Sequence, residues 1–400
     1  MLPSSSNTDL YSAFSERKLG KGNTTLKNVF IKSATFEGMY KNGIPKQELI
    51  DHHVSMAKGD VAMTTVSYGA VSPDGRTFDT QMYIHDDSLK KLKLLASEVH
   101  KAGGKVSMQL THCGYFSKNK AFKKPLAPSK IFNEYGFLSG VVFSKAMTLD
   151  DMDTVANAFG EAALKLKNIG FDAVEIHMGH GYLLSQFLSP WTNKRKDEYG
   201  GSIENRARFP LEVLANVRAK VGGDFPILVK LNLEDGFSKG FSLEDCKYVA
   251  QLLEKNSCDA IVLSGGFTSK TPFYLMRGDV PLKGMISNAS SIAEKITMAL
   301  FGPFIVKKYP FTAHFFLDQA KAIRKVVKMP LVYLGGVDSK EGIEEILASG
   351  FEFIAIARAL IHDSSFLQKI QKGEIKRSGC TRCNECVVEM DRDKGVRCVL

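Results

Sequence analysis

Apolar runs of six to eight residues alternate along most of this chain with longer segments in which apolar positions recur every three or four residues. The runs are NVFIKSAT (Asn28–Thr35), VAMTTVS (Val61–Ser67), KVSMQLTH (Lys105–His112), FDAVEI (Phe171–Ile176), FPILVKLN (Phe225–Asn232), DAIVLS (Asp259–Ser264), PLVYLGG (Pro330–Gly336) and FEFIAIA (Phe351–Ala357). Helical periodicity between them predicts helices over Lys46–Lys58, Asp86–Ala102, Asp150–Asn168, Leu243–Lys255, Leu317–Val327 and Lys340–Leu347, with a further one over Ser290–Leu300. Runs this continuous suit strands covered on both faces, and eight of them alternating with helices predict an α/β fold of the (β/α)8 TIM-barrel type. A doubly wound open sheet is the competing arrangement, but no GxGxxG follows the first run. The expected organisation is an irregular lead-in over 1–27, a barrel over 28–372 with insertions at 113–145 and 265–312, and a cysteine-rich C-terminal segment over 373–400.

Four hundred residues with 44% apolar content bury a large core, and one barrel with insertions accounts for the length. The net charge of +10 raises nucleic acid as a partner, but the lysines are spread along the chain without an interleaved aromatic and basic stripe, so none is expected. A basic field also suits a phosphorylated cofactor. The first residues lack an apolar core of signal-peptide length, and no segment approaches 18 consecutive apolar residues. The expectation is a cytoplasmic protein with no transmembrane segment, acting on a small molecule; a homo-oligomer is compatible with the chain. Insertion 113–145 reads as a lid or rim. Insertion 265–312 could shape a substrate pocket, bind a partner or touch a membrane surface through ALFGPFIVKKYPF.

Candidate chemistry concentrates in VEIHMGHGYLLSQFLSPWTNKRKDEYGGSIENRARF (Val174–Phe209), where a β-like run passes abruptly into a loop carrying His177, His180 and Tyr182. Gly179 and Gly181 let the backbone turn sharply, so both imidazoles can aim into one cavity and grip one oxygen. A phenol with a pKa near 10 can protonate a carbanion or enolate. Zinc coordination, or simple hydrogen bonding at a strand end, would use the same two histidines. Ser202, three residues before Asn205, predicts an N-capped helix, and the nearby arginines and acids read as scaffold for the long loop.

In a barrel the strand ends gather Ser33-Ala34-Thr35, Gln109 and His112, Lys230, Gly335-Gly336 and Ala357-Arg358. Late glycines followed by Arg358 suit a phosphate. Lys230 is unexpected in the apolar run ILVKLN unless it is paired, faces a ligand or snorkels to the rim. Gln109 can both donate to and accept from a pyrimidine-like edge, or satisfy loop backbone.

The stretch HMGHGYLLSQFLSPWTNKRKDEYGGSIENRARF resembles the long motif of the old yellow enzyme family of FMN-dependent oxidoreductases, and the likeness extends from about Asn28 to Asp363. It implies FMN as cofactor and NAD(P)H as electron donor. His177 and His180 would hold a substrate carbonyl oxygen, and Tyr182 would donate a proton to the alkene being reduced. NVFIKSATFEG is similar to the family's first-strand FMN stretch, which implicates Ser33, Ala34, Thr35 and Phe36. By the same resemblance MQLTHCG implicates Gln109, ILVK implicates Lys230, and LGGV with AIARALI implicates Gly335, Gly336, Ala357 and Arg358. The chain departs from the pattern at Ala34, where the family has Pro, at Phe36, where relatives place Cys, Thr or His, at Lys230 for Arg, and at Ala357 for Gly. An amine or thioester dehydrogenase is an alternative on the same fold. Outside that class stand a metal-dependent barrel hydrolase using His177, His180 and Glu175, and an inactive barrel serving as a binding scaffold.

Of seven cysteines, Cys113, Cys246 and Cys258 are scattered, whereas Cys380, Cys383, Cys386 and Cys398 fall within nineteen residues. Four such thiols suffice for a [4Fe–4S] cluster or a zinc ion. The segment resembles the cluster-binding segment of multidomain relatives, 2,4-dienoyl-CoA reductase and trimethylamine dehydrogenase, which pass electrons to a further FAD domain. The expectation is that no such domain follows Leu400, which makes a reduced, packed thiol tail the competing reading. Cys113, beside His112, could face a flavin or simply pack in the core.

Overall fold

Strands covered on both faces close most economically on themselves, and in this computed structural model, which describes residues 10–22, 24–289 and 291–400, the eight predicted runs do so. They are β1 Phe30–Lys32, β2 Met63–Ala70, β3 Lys105–Thr111, β4 Ala173–Met178, β5 Ile227–Asn232, β6 Ala260–Ser264, β7 Leu331–Leu334 and β8 Phe353–Ile356. Each pairs in parallel with its neighbours in chain order, and β8 returns to β1.

Parallel neighbours need crossovers, and helices supply them. They are α1 Gln47–Lys58, α2 Asp86–Lys101, α3 Leu149–Asn168, α4 Ile203–Val221, α5 Leu243–Lys255, α6 Leu317–Arg324 and α7 Lys340–Ala348. Side chains mark where several begin. Thr148 accepts from the Asp151 amide at 3.1 Å, Ser202 from Asn205 at 3.4 Å and Ser242 from Asp245 at 3.1 Å, caps worth about 1 kcal/mol each. The arginines after β4 do hold their loop: Arg195 pairs with Asp197 and donates to the Met147 carbonyl at 2.7 Å, and Arg206 reaches the Leu188 carbonyl and Asp245.

The lead-in departs from the irregular structure expected of it. Leu10–Ala13 is a short helix, and Arg17–Lys18 pairs with Thr25–Leu26 as an antiparallel hairpin. Its Lys21 amide donates to Asp259 at 3.3 Å, beside the start of β6, so it packs at the bottom of the barrel. Elements this short have no periodicity to read.

Insertion 265–312 carries helices Leu282–Asn288 and Ile292–Ile305. The helix expected from Ser290 starts at Ile292 and runs on to Ile305, Ser290 lying outside the described residues. Among the described residues no helix is long and apolar enough to cross a membrane. The segment 373–400 folds back over the mouth, where the Val396 amide donates to the Glu37 carbonyl at 2.7 Å and the Arg382 carbonyl accepts from Asp279 at 3.0 Å.

Candidate active site

The carboxyl ends of the strands open into a cavity of about 260 Å³. Ser33, Ala34, Thr35 and Phe36 after β1, Gln109 on β3, and His177, His180 and Tyr182 at β4 all line it. So do Gly335 and Gly336 after β7 and Ala357 and Arg358 after β8. Of the predicted residues at this mouth, Lys230 and His112 are set apart from the wall.

Strand register explains where Lys230 goes. Pairing of β3, β4 and β5 puts Glu175 beside Gln109 and His177 beside Lys230. The Lys230 ammonium, 1% exposed, lies 3.0 Å from Glu175 Oε1, and the Gln109 amide donates to the same oxygen at 2.7 Å. A charged residue in an apolar run is thus accounted for by an ion pair beneath the cavity. A second buried pair, Lys32 with Glu37 at 2.5 Å, was not anticipated. Burial draws the Lys32 pKa down against the pull of Glu37. Burial alone would raise that of Glu37, but Lys32 and His53 outweigh it and the net direction is down.

The turn after β4 aims the histidines. His180 has φ of 59°, a left-handed conformation costly for a residue with a side chain, and several bonds hold it there. Its amide donates to Asn232 Oδ1 at 3.1 Å, its carbonyl accepts from the Thr268 amide at 3.0 Å, and Nε2 lies 2.7 Å from Ser264 Oγ. At Gly181 a Cβ would sit 2.5 Å from the Phe267 ring, so only glycine fits. The His177 and His180 rings meet edge to face with centroids 4.9 Å apart, and the Tyr182 ring lies 5.0 Å from His177.

Burial, reinforced by nearby positive charge, holds His177 well below the usual imidazole range and lowers His180 to about 3. Both are therefore neutral near pH 7, each with one N–H to offer. His177 Nδ1 is buried without a hydrogen-bond partner among the described residues, as is Thr35 Oγ1. The Tyr182 hydroxyl donates to that of Tyr68 at 3.1 Å, which lies 3.2 Å from Thr77 Oγ1. Burial first, then Tyr68, push the Tyr182 phenol above its ordinary value. Tyr68 and Ser264 were missed from sequence, although both sit at the carboxyl ends of strands, the criterion that found the others.

Among the described residues the hydrolase and zinc alternatives find no third ligand. Glu175 is engaged by Lys230 and Gln109, and among the described residues no three His, Cys, Asp or Glu side chains are grouped to hold a metal ion.

Two arginines stand at the β7–β8 side. Arg358 donates to the Arg277 carbonyl and to Asn384 Oδ1, both at 2.8 Å, and Arg382 pairs with Asp338. Gly336 has φ of 72°, and a Cβ there would lie 2.9 Å from the His314 amide nitrogen. Behind Arg358, Cys380, Cys383, Cys386 and Cys398 line one small cavity with His362, whose Nδ1 lies 3.3 Å from Cys398 Sγ. Burial, opposed by Arg358, raises the Cys386 thiol to about 11. All seven cysteines are free, and Cys113 is packed against the Arg76 carbonyl at 3.3 Å, off the cavity wall. The main cavity thus joins neutral donors and acceptors at its centre to cations at one end. That polarity suits an elongated ligand with a heteroaromatic head and an anionic tail.

A sequence profile for the family described as NADH:flavin oxidoreductase / NADH oxidase matches residues 18–266, more than half of the chain. The 4,4'-dithiodibutanoate disulfide reductase of Rhodococcus erythropolis is 38% identical over 391 residues, covering 97% of this chain and 95% of that protein. The NADH oxidase of Thermoanaerobacter brockii is 29% identical over 380 residues, 93% of this chain but 52% of its own length, so the chain spans about half of that relative. The solved Old Yellow Enzyme from Pichia sp. AKU4542 superposes with a TM-score of 0.71 at 22% identity, covering 90% of this chain and 87% of that one, a likeness of fold.

Proposed function

The chain belongs to the NADH:flavin oxidoreductase / NADH oxidase family and is an oxidoreductase using FMN and NAD(P)H; on that premise we propose that it reduces the C=C bond of an α,β-unsaturated carbonyl compound. The cavity's chemistry fits FMN. Ser33, Ala34, Thr35, Phe36 and Gln109 would hold the ring system, with Lys230 fixing Gln109 from beneath through Glu175. Gly335, Gly336, Ala357 and Arg358 would hold the phosphate. FMN, reduced by NAD(P)H, supplies the hydride.

The chain's own groups then act on the substrate. A Ser264 hydroxyl donating to Nε2 would leave the one proton of His180 on Nδ1. His180 and His177 together donate to the carbonyl oxygen, and two such bonds stabilise a developing enolate by roughly 3–6 kcal/mol. Tyr182, kept protonated by its raised pKa, gives its proton to the α-carbon. The observation that carries this reading is the arrangement of two imidazoles and one phenol against a single cavity wall. The test is enone reduction by the Tyr182→Phe protein. We expect a loss of about 10²-fold or more while NAD(P)H still bleaches the flavin; an unchanged rate would refute the assignment.

A dialkyl disulfide is the second reading, favoured by 38% identity to the Rhodococcus disulfide reductase over nearly the whole of both chains. Two electrons and two protons would convert it into two thiols, Tyr182 giving one of the protons. Assaying an enone and a disulfide side by side separates the two.

For the C-terminal cysteines we propose a [4Fe–4S] cluster. Four free thiols lining one cavity support it in number and type. They stand short of metal-ligand grouping, so binding would draw them together.

A further inference from the structure

Insertions 113–145 and 265–312 leave the barrel mouth after β3 and β6. Lysines are spread along the whole chain, but elsewhere acids nearly cancel them. The two insertions hold twelve Lys and Arg against three Asp and Glu, which is nine of the chain's ten net positive charges. They also hold eleven of the sixteen large apolar side chains exposed among the described residues, Phe304 foremost at 87%.

Helix Ile292–Ile305 buries only Gly302. A helix seated on its own domain turns a polar face outward. This one turns out Ile296, Leu300, Phe301 and Phe304 and is followed by exposed Lys307 and Lys308. Basic and aromatic groups interleave on the other insertion, with Lys118 5.0 Å from the Tyr135 ring and Lys130 5.3 Å from that of Phe143. Lys270 of the second insertion pairs with Glu134 of the first at 2.7 Å, so the two insertions meet on one surface.

We propose that this side of the barrel mouth docks on an anionic lipid membrane, with the helix Ile292–Ile305 lying at headgroup depth and the insertion lysines meeting lipid phosphates. An anionic bilayer interface would take up these exposed apolar side chains and, through its phosphates, supply the charge opposite to the insertion lysines. The insertion that touches lipid also walls the cavity with Leu275, Met276 and Phe311. Docking would therefore favour a lipid-soluble substrate, although it does not depend on the reaction assigned above.

The test is co-sedimentation of the flavin-loaded full chain with phosphatidylcholine vesicles, with and without roughly 30 mol% phosphatidylglycerol. We expect partition into the anionic vesicles to be about tenfold stronger, to fall as salt rises, and to be lost in a Phe301→Glu/Phe304→Glu protein that still oxidises NAD(P)H. A Phe304→Trp protein gives a second readout, its added indole emission shifting to the blue with anionic vesicles alone. Equal, weak binding of the parent to both vesicle types would overturn the proposal. So would a dimer that the double glutamate variant splits, in a protein that ignores vesicles.

Discussion

The Tyr182 hydroxyl donates to the Tyr68 hydroxyl across 3.1 Å, so the phenol proposed to protonate substrate rests against a second buried phenol. If Tyr68 only positions its neighbour, Tyr68→Phe should slow the single-turnover oxidation of reduced enzyme by less than about tenfold, against about 10²-fold or more for Tyr182→Phe. The double variant should be no slower than Tyr182→Phe, because both changes act on one interaction. A Tyr68→Phe protein as slow as Tyr182→Phe would move the donor role to Tyr68.

Ser264 sets the His180 ring through the 2.7 Å contact at Nε2. Its replacement by alanine should weaken binding of an unreactive ketone about fivefold, the worth of roughly 1 kcal/mol, with flavin content unchanged. Visible-range titration reads both.

Beneath the cavity, Lys230→Met would leave Glu175 buried with the Gln109 amide alone. Loss of one partner of a buried pair costs about 3–5 kcal/mol. Chemical denaturation should register that loss, and adding Glu175→Gln should recover at least half of it. No recovery in the double variant would mean that packing, not charge, is at stake.

Acid should destabilise the fold through the buried histidines. The His180 pKa is about 3 folded against an ordinary 6.5, so between those values the unfolded chain binds more protons. Its contribution is full above 6.5 and is lost as pH falls toward 3, amounting to about 2 kcal/mol at about pH 5. His52, His53 and His177 share the direction, while Asp235, raised to about 6 by burial, opposes it. The difference in stability between the parent and His180→Asn proteins, followed across pH, should isolate the one-proton dependence; a flat difference would deny that His180 is buried neutral.

Protein prepared without oxygen should contain about four iron and four acid-labile sulfide per chain. Cys386→Ala should lose both. A preparation free of iron and sulfide would leave the packed-thiol alternative.

The barrel was legible because each strand is an apolar run bounded by polar or Gly residues, and β5 and β6 end where the runs FPILVKLN and DAIVLS end. His177, His180, Gln109 and Arg358 were legible because strand carboxyl ends share one mouth. What stayed hidden depends on register between strands distant in sequence. Nothing near Lys230 in the chain names Glu175 as its partner, and Glu37 lies in a stretch without periodicity. The cysteine segment read as an appendix, whereas Cys380, Arg382 and Val396 help to wall the main cavity. Contacts made by a segment folding back leave no local pattern.

Asn384 sits between Cys383 and Cys386 with φ of 59°, accepting from Arg358 while donating to the carbonyls of Met276 and Asp279. The sulfur pocket and the cation assigned to the phosphate are therefore coupled through one amide. Ageing in air, or alkylation of these thiols, would be expected to show up as slow leakage of yellow colour from an otherwise intact barrel, so that bleaching during storage becomes a gauge of thiol damage.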